Sequence, residues 1–158
     1  NKNYFLAKNP IEAIYVGKSS EMGSSDGTYN PSTGKLSVKP TSKVSEPWIL
    51  EGGSMTVIHG QKSDSKEDMM KAAFVHELGH HIALTVVKKS PGGPDGLYKK
   101  TIINNYQKDN KKVSEYAGTH PHEYFAESFA AYHFSPGLLS PTAKRMVEDV
   151  MKRAGELS

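Results

Sequence analysis

A chain of 158 residues, 36% hydrophobic and 23% charged, has the length and composition of one globular domain, which excludes a disordered or multi-core protein. Its net charge of +3 comes from scattered lysines, with Lys108, Lys111 and Lys112 the densest group, so no nucleic-acid-binding patch is expected. The absence of cysteine excludes disulfides and thiolate metal sites, so any metal must sit on histidine and carboxylate. No apolar run approaches a membrane span, and nothing after Asn1 has the pattern of a signal peptide.

Residues 1–64 read mainly as strands and loops. Ala13 to Gly17, AIYVG, is short, β-branched and closed by glycine. Residues 18–26, KSSEMGSSD, read as a mobile loop. Gly27 to Pro40, GTYNPSTGKLSVKP, carries an Asn-Pro-Ser-Thr-Gly turn between two strand-like runs and predicts a hairpin. Ser54 to Gly60, SMTVIHG, is a further strand candidate entered through Gly52 and Gly53.

Residues 65–158 change to a helical period. Ser65, with Asp68 three residues on, resembles a helix N-cap with an acidic first turn. Phe74, Leu78, Ile82 and Val86 then mark one apolar face, and KKSPGGP (Lys88 to Pro94) ends the helix. A second helix is expected from Asp95 to about Lys108, with Leu97, Ile102 and Tyr106 inward. A third is expected from near Pro121. A fourth is expected from Ser140-Pro141, with Met146, Val150 and Ala154 in its core stripe. The expected fold is α+β.

The first helix contains AFVHELGHHI, Ala73 to Ile82. His76 and His80 stand at i and i+4, so their imidazoles can converge on one ion. Glu77, rotated to the flank, can reach a metal-bound water and act as general base. The motif alone is short enough to arise by chance on an amphipathic helix, but this helix is well bounded, and Gly79 removes bulk beside the metal position. Zinc suits two nitrogens and one carboxylate with a position left for water. A third histidine three residues beyond a following glycine is ruled out, because those positions are Ala83 and Val86. A carboxylate from the segment Glu115 to Phe134, EYAGTHPHEYFAESFAAYHF, is the alternative. Glu123 and Glu127 share one face there, and a carboxylate entering an apolar interior needs a cation or a donor. Glu123 would face the metal, and Glu127 would accept from an imidazole N–H and orient it. His120, His122 and His133 compete for the ligand role, and His81 reads as a packing or surface residue. Tyr116, in the loop before this helix, could donate its O–H to an oxyanion.

HELGH followed by SEYAGTHPHEYFAESFAAY resembles the gluzincin metallopeptidases of the anthrax lethal factor catalytic-domain type. It is most similar to the Pro-Pro endopeptidases secreted by Gram-positive bacteria. The likeness runs from about Gly52 to Phe134 and includes GGSMTV; before Gly52 it fades, and Trp48 is spaced differently from the tryptophan segment of those enzymes. The resemblance implies one zinc metallopeptidase domain over residues 1–158 with a compact zincin fold, a small twisted mixed sheet over the active-site helix and a helical C-terminal half. It implies one catalytic Zn2+ held by His76, His80 and Glu123, with Glu77 as base, Tyr116 on the oxyanion and Glu127 behind a ligand. Substrate would be an extended peptide or protein paired with an edge strand within Ser54 to Ile58, so Gly53, Ser54, Met55 and Trp48 would line it, with selectivity near proline. A secreted monomer without nucleic-acid partner or membrane span is expected. Two alternatives stay open: a zinc-binding but non-proteolytic interaction domain of a toxin or phage protein, and a structural domain whose motif is accidental.

Overall fold

The computed structural model describes residues 11, 13–16, 27–38, 49–51, 54–56, 66–89, 92, 94–114, 116–134 and 136–156. The loop expected over residues 18–26, the cap at Ser65, and Gly53 and Trp48 lie outside them. The architecture is α+β.

The predicted hairpin forms. Strand β2 (Gly27–Asn30) and strand β3 (Lys35–Val38) pair antiparallel, with Tyr29 opposite Leu36. Asn30 drives the turn: its side-chain oxygen accepts the N–H groups of Ser32 (2.9 Å) and Thr33 (3.2 Å), a local bond that competes well with extended structure. Gly34 closes the turn at φ 66°, a conformation that suits glycine. Strand β1 (Ala13–Val16) adds to the other side of β3 in parallel, giving a mixed sheet of order β1-β3-β2. Strands β4 (Ile49–Glu51) and β5 (Ser54–Thr56) form a separate antiparallel pair, and β4 rests against residues 110–112.

Helix α1 (Lys66–Lys89) lies across the three-stranded sheet, where Leu36 and Val38 bury themselves against Ala73, with Tyr29 and Phe74 at the edges. Its apolar face is therefore divided: Phe74 serves the sheet, while Ile82 and Val86 enter the main core with Phe125, Phe129, Met146 and Val150. The next segment departs from the expected single helix. Pro94–Ile103 winds with wide π-helical turns, and only Asn104–Asp109 (α2) is α-helical. Gly96 near its start and the β-branched run Thr101-Ile102-Ile103 at its end both weaken the α-helical preference. Ile102 is buried and Tyr106 is packed against the core, as expected; the side chain of Leu97 lies outside the described set.

Helix α3 (Pro121–Phe134) begins with proline at its first position, where the missing N–H is not needed. It crosses α1 at close range. A Cβ on Gly79 would stand 3.1 Å from the Ala126 Cα and 3.2 Å from the Phe129 ring. Gly79 thus lets the two backbones approach, rather than clearing bulk beside the metal position. Helix α4 (Pro141–Glu156) closes the core. Ser140 caps it, accepting the Ala143 N–H at 3.1 Å, and Met146, Val150 and Ala154 are buried as the stripe predicted. No helix among the described residues is long and apolar enough to cross a membrane.

Candidate metal centre

The crossing of α1 and α3 brings three donor atoms together. His76 Nε2 lies 2.9 Å from Glu123 Oε2, His80 Nε2 lies 3.2 Å from the same oxygen, and the two imidazole nitrogens are 3.2 Å apart. His76 and His80 share one face of α1 because four residues make slightly more than one turn. Glu123 sits in the first turn of α3 and leans across to them. Both histidines are buried and Glu123 is nearly so. Among the described residues this is the group with the donor set and spacing to hold a metal ion.

The electrostatics favour a cation among these atoms. Burial opposes charge on His76, but the neighbouring carboxylates of Glu123 and Glu127 outweigh it and push its pKa up to about 10. Burial likewise opposes charge on Glu123, yet His76 and His80 hold its carboxyl far below the usual carboxylate range. A proton or a metal ion can supply that positive charge, since both use the same lone pairs.

Behind the three donors, His76 Nδ1 lies 2.8 Å from Glu127 Oε1, although the contact is not well aligned as a hydrogen bond. The carboxylate of Glu127 is buried one turn along α3 from Glu123. This is the arrangement that fixes an imidazole so that its other nitrogen keeps its aim.

Glu77 lies beside the three donors on α1, with its side chain packed against the sheet. A Cβ built on Gly27 would come within 2.9 Å of both Glu77 Cγ and Oε1, so the carboxylate lies flush against the β2 backbone. Burial raises the Glu77 pKa, and His76 and His80 pull it back in part. One turn further along, His81 is buried, and its Nδ1 pairs with the Tyr29 hydroxyl at 2.8 Å.

Tyr116 opens a short 3-10 turn, Tyr116–Gly118, and its ring stands over His76 with centroids 6.0 Å apart. The side chain is 53% exposed. Burial of its hydroxyl end and the Glu123 carboxylate beside it push its pKa up to about 12, so it is a proton donor at neutral pH. The turn is pinned by Tyr106, whose hydroxyl donates to Gly118 O at 2.7 Å, and by Thr119, which donates to Tyr116 O at 2.6 Å.

The competing histidines take other places. His122 flanks the group, its ring edge-on to His80 and its Nδ1 3.5 Å from Glu123 Oε1. His120 is exposed and lies against His122. His133 packs edge-on against Phe129. Two residues that sequence reasoning missed touch this centre: Gly27, against Glu77, and Ser114, whose hydroxyl donates to Glu127 Oε2 at 3.1 Å. Neither contact leaves a periodic trace in the sequence.

A family model described as anthrax toxin lethal factor, N- and C-terminal domain, matches residues 37–142, more than half of the chain. The protein belongs to this family. No curated protein matches it. The lethal factor family is one of metalloproteases, in keeping with the cluster of two histidines and a glutamate. The match runs from within β3 to the start of α4 and so contains all three donors, Glu77, Tyr116 and Glu127. Strands β1 and β2, with Gly27 and Tyr29, precede it.

Proposed function

We propose that this protein is a zinc-dependent endopeptidase that hydrolyses peptide bonds of an extended protein substrate, secreted and acting as a single domain over residues 1–158. The convergence of His76 Nε2, His80 Nε2 and Glu123 Oε2 carries this reading. Their mutual separations, 2.9–3.2 Å, come close to the roughly 3.3 Å expected between tetrahedral ligands held about 2.0–2.1 Å from zinc.

In this reading His76, His80 and Glu123 hold the ion. When bound, zinc acidifies water and polarises a carbonyl oxygen. Glu77 takes a proton from the attacking water as the water oxygen joins the carbonyl carbon. Tyr116 donates its O–H to the carbonyl oxygen as negative charge gathers there. Glu77 then passes its proton to the amide nitrogen as the C–N bond breaks, leaving a carboxylic acid and an amine. Glu127 keeps His76 oriented throughout.

An extended peptide would pair with a sheet edge beside the base. The resemblance assigns that edge to Gly53, Ser54 and Met55, with Trp48 near it and a preference for proline. Strand β2 offers a second such edge: it ends its sheet among the described strands, and Gly27 touches Glu77.

The test is digestion of a diverse peptide library, proline-rich members included, by the wild type and by Glu77→Ala, with cuts read by mass spectrometry. Cuts made by the wild type alone are expected, and their flanking residues report the selectivity. Zinc-loaded wild type that cuts nothing would favour a non-proteolytic binding domain.

A further inference from the structure

Ser114 has 0% exposure and sits just before the turn that carries Tyr116. A hydroxyl buried so completely must be satisfied, and this one is satisfied twice. It donates to Glu127 Oε2 at 3.1 Å and accepts the Ala117 N–H at 2.9 Å. The other oxygen of the same carboxylate faces His76 Nδ1 at 2.8 Å. A continuous line therefore runs from the Ala117 backbone through Ser114 and Glu127 to His76. Ala117 is the residue after Tyr116, whose ring lies near His76, with centroids 6.0 Å apart.

The physical consequence concerns rotation. The last torsion of a glutamate is broad and roughly two-fold, so a carboxylate gripped at one oxygen alone is poorly fixed. Ser114 grips the oxygen that His76 does not face. The same hydroxyl also ties down the backbone of the Tyr116 turn, so one buried atom aligns a metal-facing imidazole and an oxyanion donor together.

We propose that Ser114 is a positioning residue of the metal centre, acting on His76 through Glu127 and on Tyr116 through the Ala117 N–H. This rests on the reading of His76, His80 and Glu123 as zinc ligands. Without the hydroxyl, Glu127 Oε2 loses its donor, the carboxylate is free to turn, and His76 Nε2 loses its fixed aim.

The experiment measures zinc affinity by competition with a chromophoric chelator for the wild type, Ser114→Ala, Glu127→Ala and the double variant, with peptide turnover read on the zinc-saturated proteins. Loss of a residue behind a metal ligand typically weakens binding by about 10–100-fold, and that is the loss expected for Ser114→Ala. In the Glu127→Ala background the same change should have little further effect, because the line is already cut. A purely structural serine would lower the melting temperature of both backgrounds equally and leave zinc affinity unchanged. Wild-type affinity in Ser114→Ala, or a full additional loss in the double variant, would overturn the proposal. Should Ser114→Ala fail to fold, Ser114→Cys, of similar size with only a weak S–H donor, carries the same expectations. Wild type that binds no zinc would instead refute the ligand reading itself, so the two failures are distinct.

Discussion

Helix α1 presents two stripes to two different neighbours, and the motif His-Glu-x-x-His is divided between them. His76 and His80 face α3, where they meet Glu123 and Glu127. Ala73, Glu77 and His81, spaced four apart, face the sheet, where they meet Leu36 and Val38, Gly27 and Tyr29 in turn. One residue along a helix is a rotation of about 100°. That rotation separates a stripe suited to holding a cation from one that places a carboxylate. The first contact is built of charge and lone pairs inside residues 37–142; the second combines apolar packing on β3, which that span enters at residue 37, with a hydrogen bond and a close backbone approach from β2, which precedes it.

The two stripes should therefore fail differently. Glu77→Ala should keep zinc and lose about 10²–10⁴-fold or more in turnover, as removal of a general base does. Glu123→Ala should lose zinc affinity first and activity as a consequence. Metal analysis by atomic emission alongside turnover separates them. Full zinc occupancy in Glu123→Ala would assign the third ligand elsewhere, with His122 the nearest candidate.

Tyr116→Phe sharpens the same division from above the site. The ring should stay over His76 while the hydroxyl is lost, so zinc affinity should hold and kcat should fall by about 10²–10³-fold. An unchanged kcat would make Tyr116 a packing residue.

Much of the α3 stripe is legible in the sequence. Ligands at i and i+4 are a property of helix geometry, and Glu123 and Glu127 share a face by the same rule. The helix starts at Pro121 and Ser140 and the Asn30 turn are legible too, because local hydrogen-bonding chemistry decides them. The sheet stripe is not legible. Gly27 and Glu77 are far apart in sequence, and a glycine that admits a neighbour's side chain looks like any strand glycine. Ser114 escapes for the same reason: its meaning lies in one oxygen of Glu127. The π segment over Pro94–Ile103 escapes because apolar spacing alone cannot tell a wide helical turn from a regular one.

Gly27→Ala tests the sheet stripe where it meets Glu77, the proposed base. The backbone there is not in the left-handed region, so alanine is conformationally allowed. The added methyl would meet Glu77 at Cγ as well as Oε1, so this buried side chain must shift. Zinc affinity should stay near wild type while turnover falls, by up to about 10²-fold if the Glu77 carboxylate moves by about 1 Å. Equal turnover in the variant would show that Glu77 works from a position not set by β2.

The smallest expected effect belongs to Tyr29→Phe. It removes the hydroxyl that pairs with His81 Nδ1 and leaves the aromatic ring against the sheet core. A single hydrogen bond of this kind contributes about 0.5–1.5 kcal/mol, so unfolding by denaturant should show a loss of that order. The loss should appear in the midpoint rather than in the slope, since no surface is newly exposed. Zinc affinity should not move, because His76 and His80 face the other way. Turnover should fall only slightly, since Gly27 still confines Glu77 from two residues away. If Tyr29→Phe instead reduced zinc affinity as much as a change behind His76 does, the two stripes would be mechanically coupled through α1. The helix would then move as one body, and a disturbance at the sheet would reach the metal ligands.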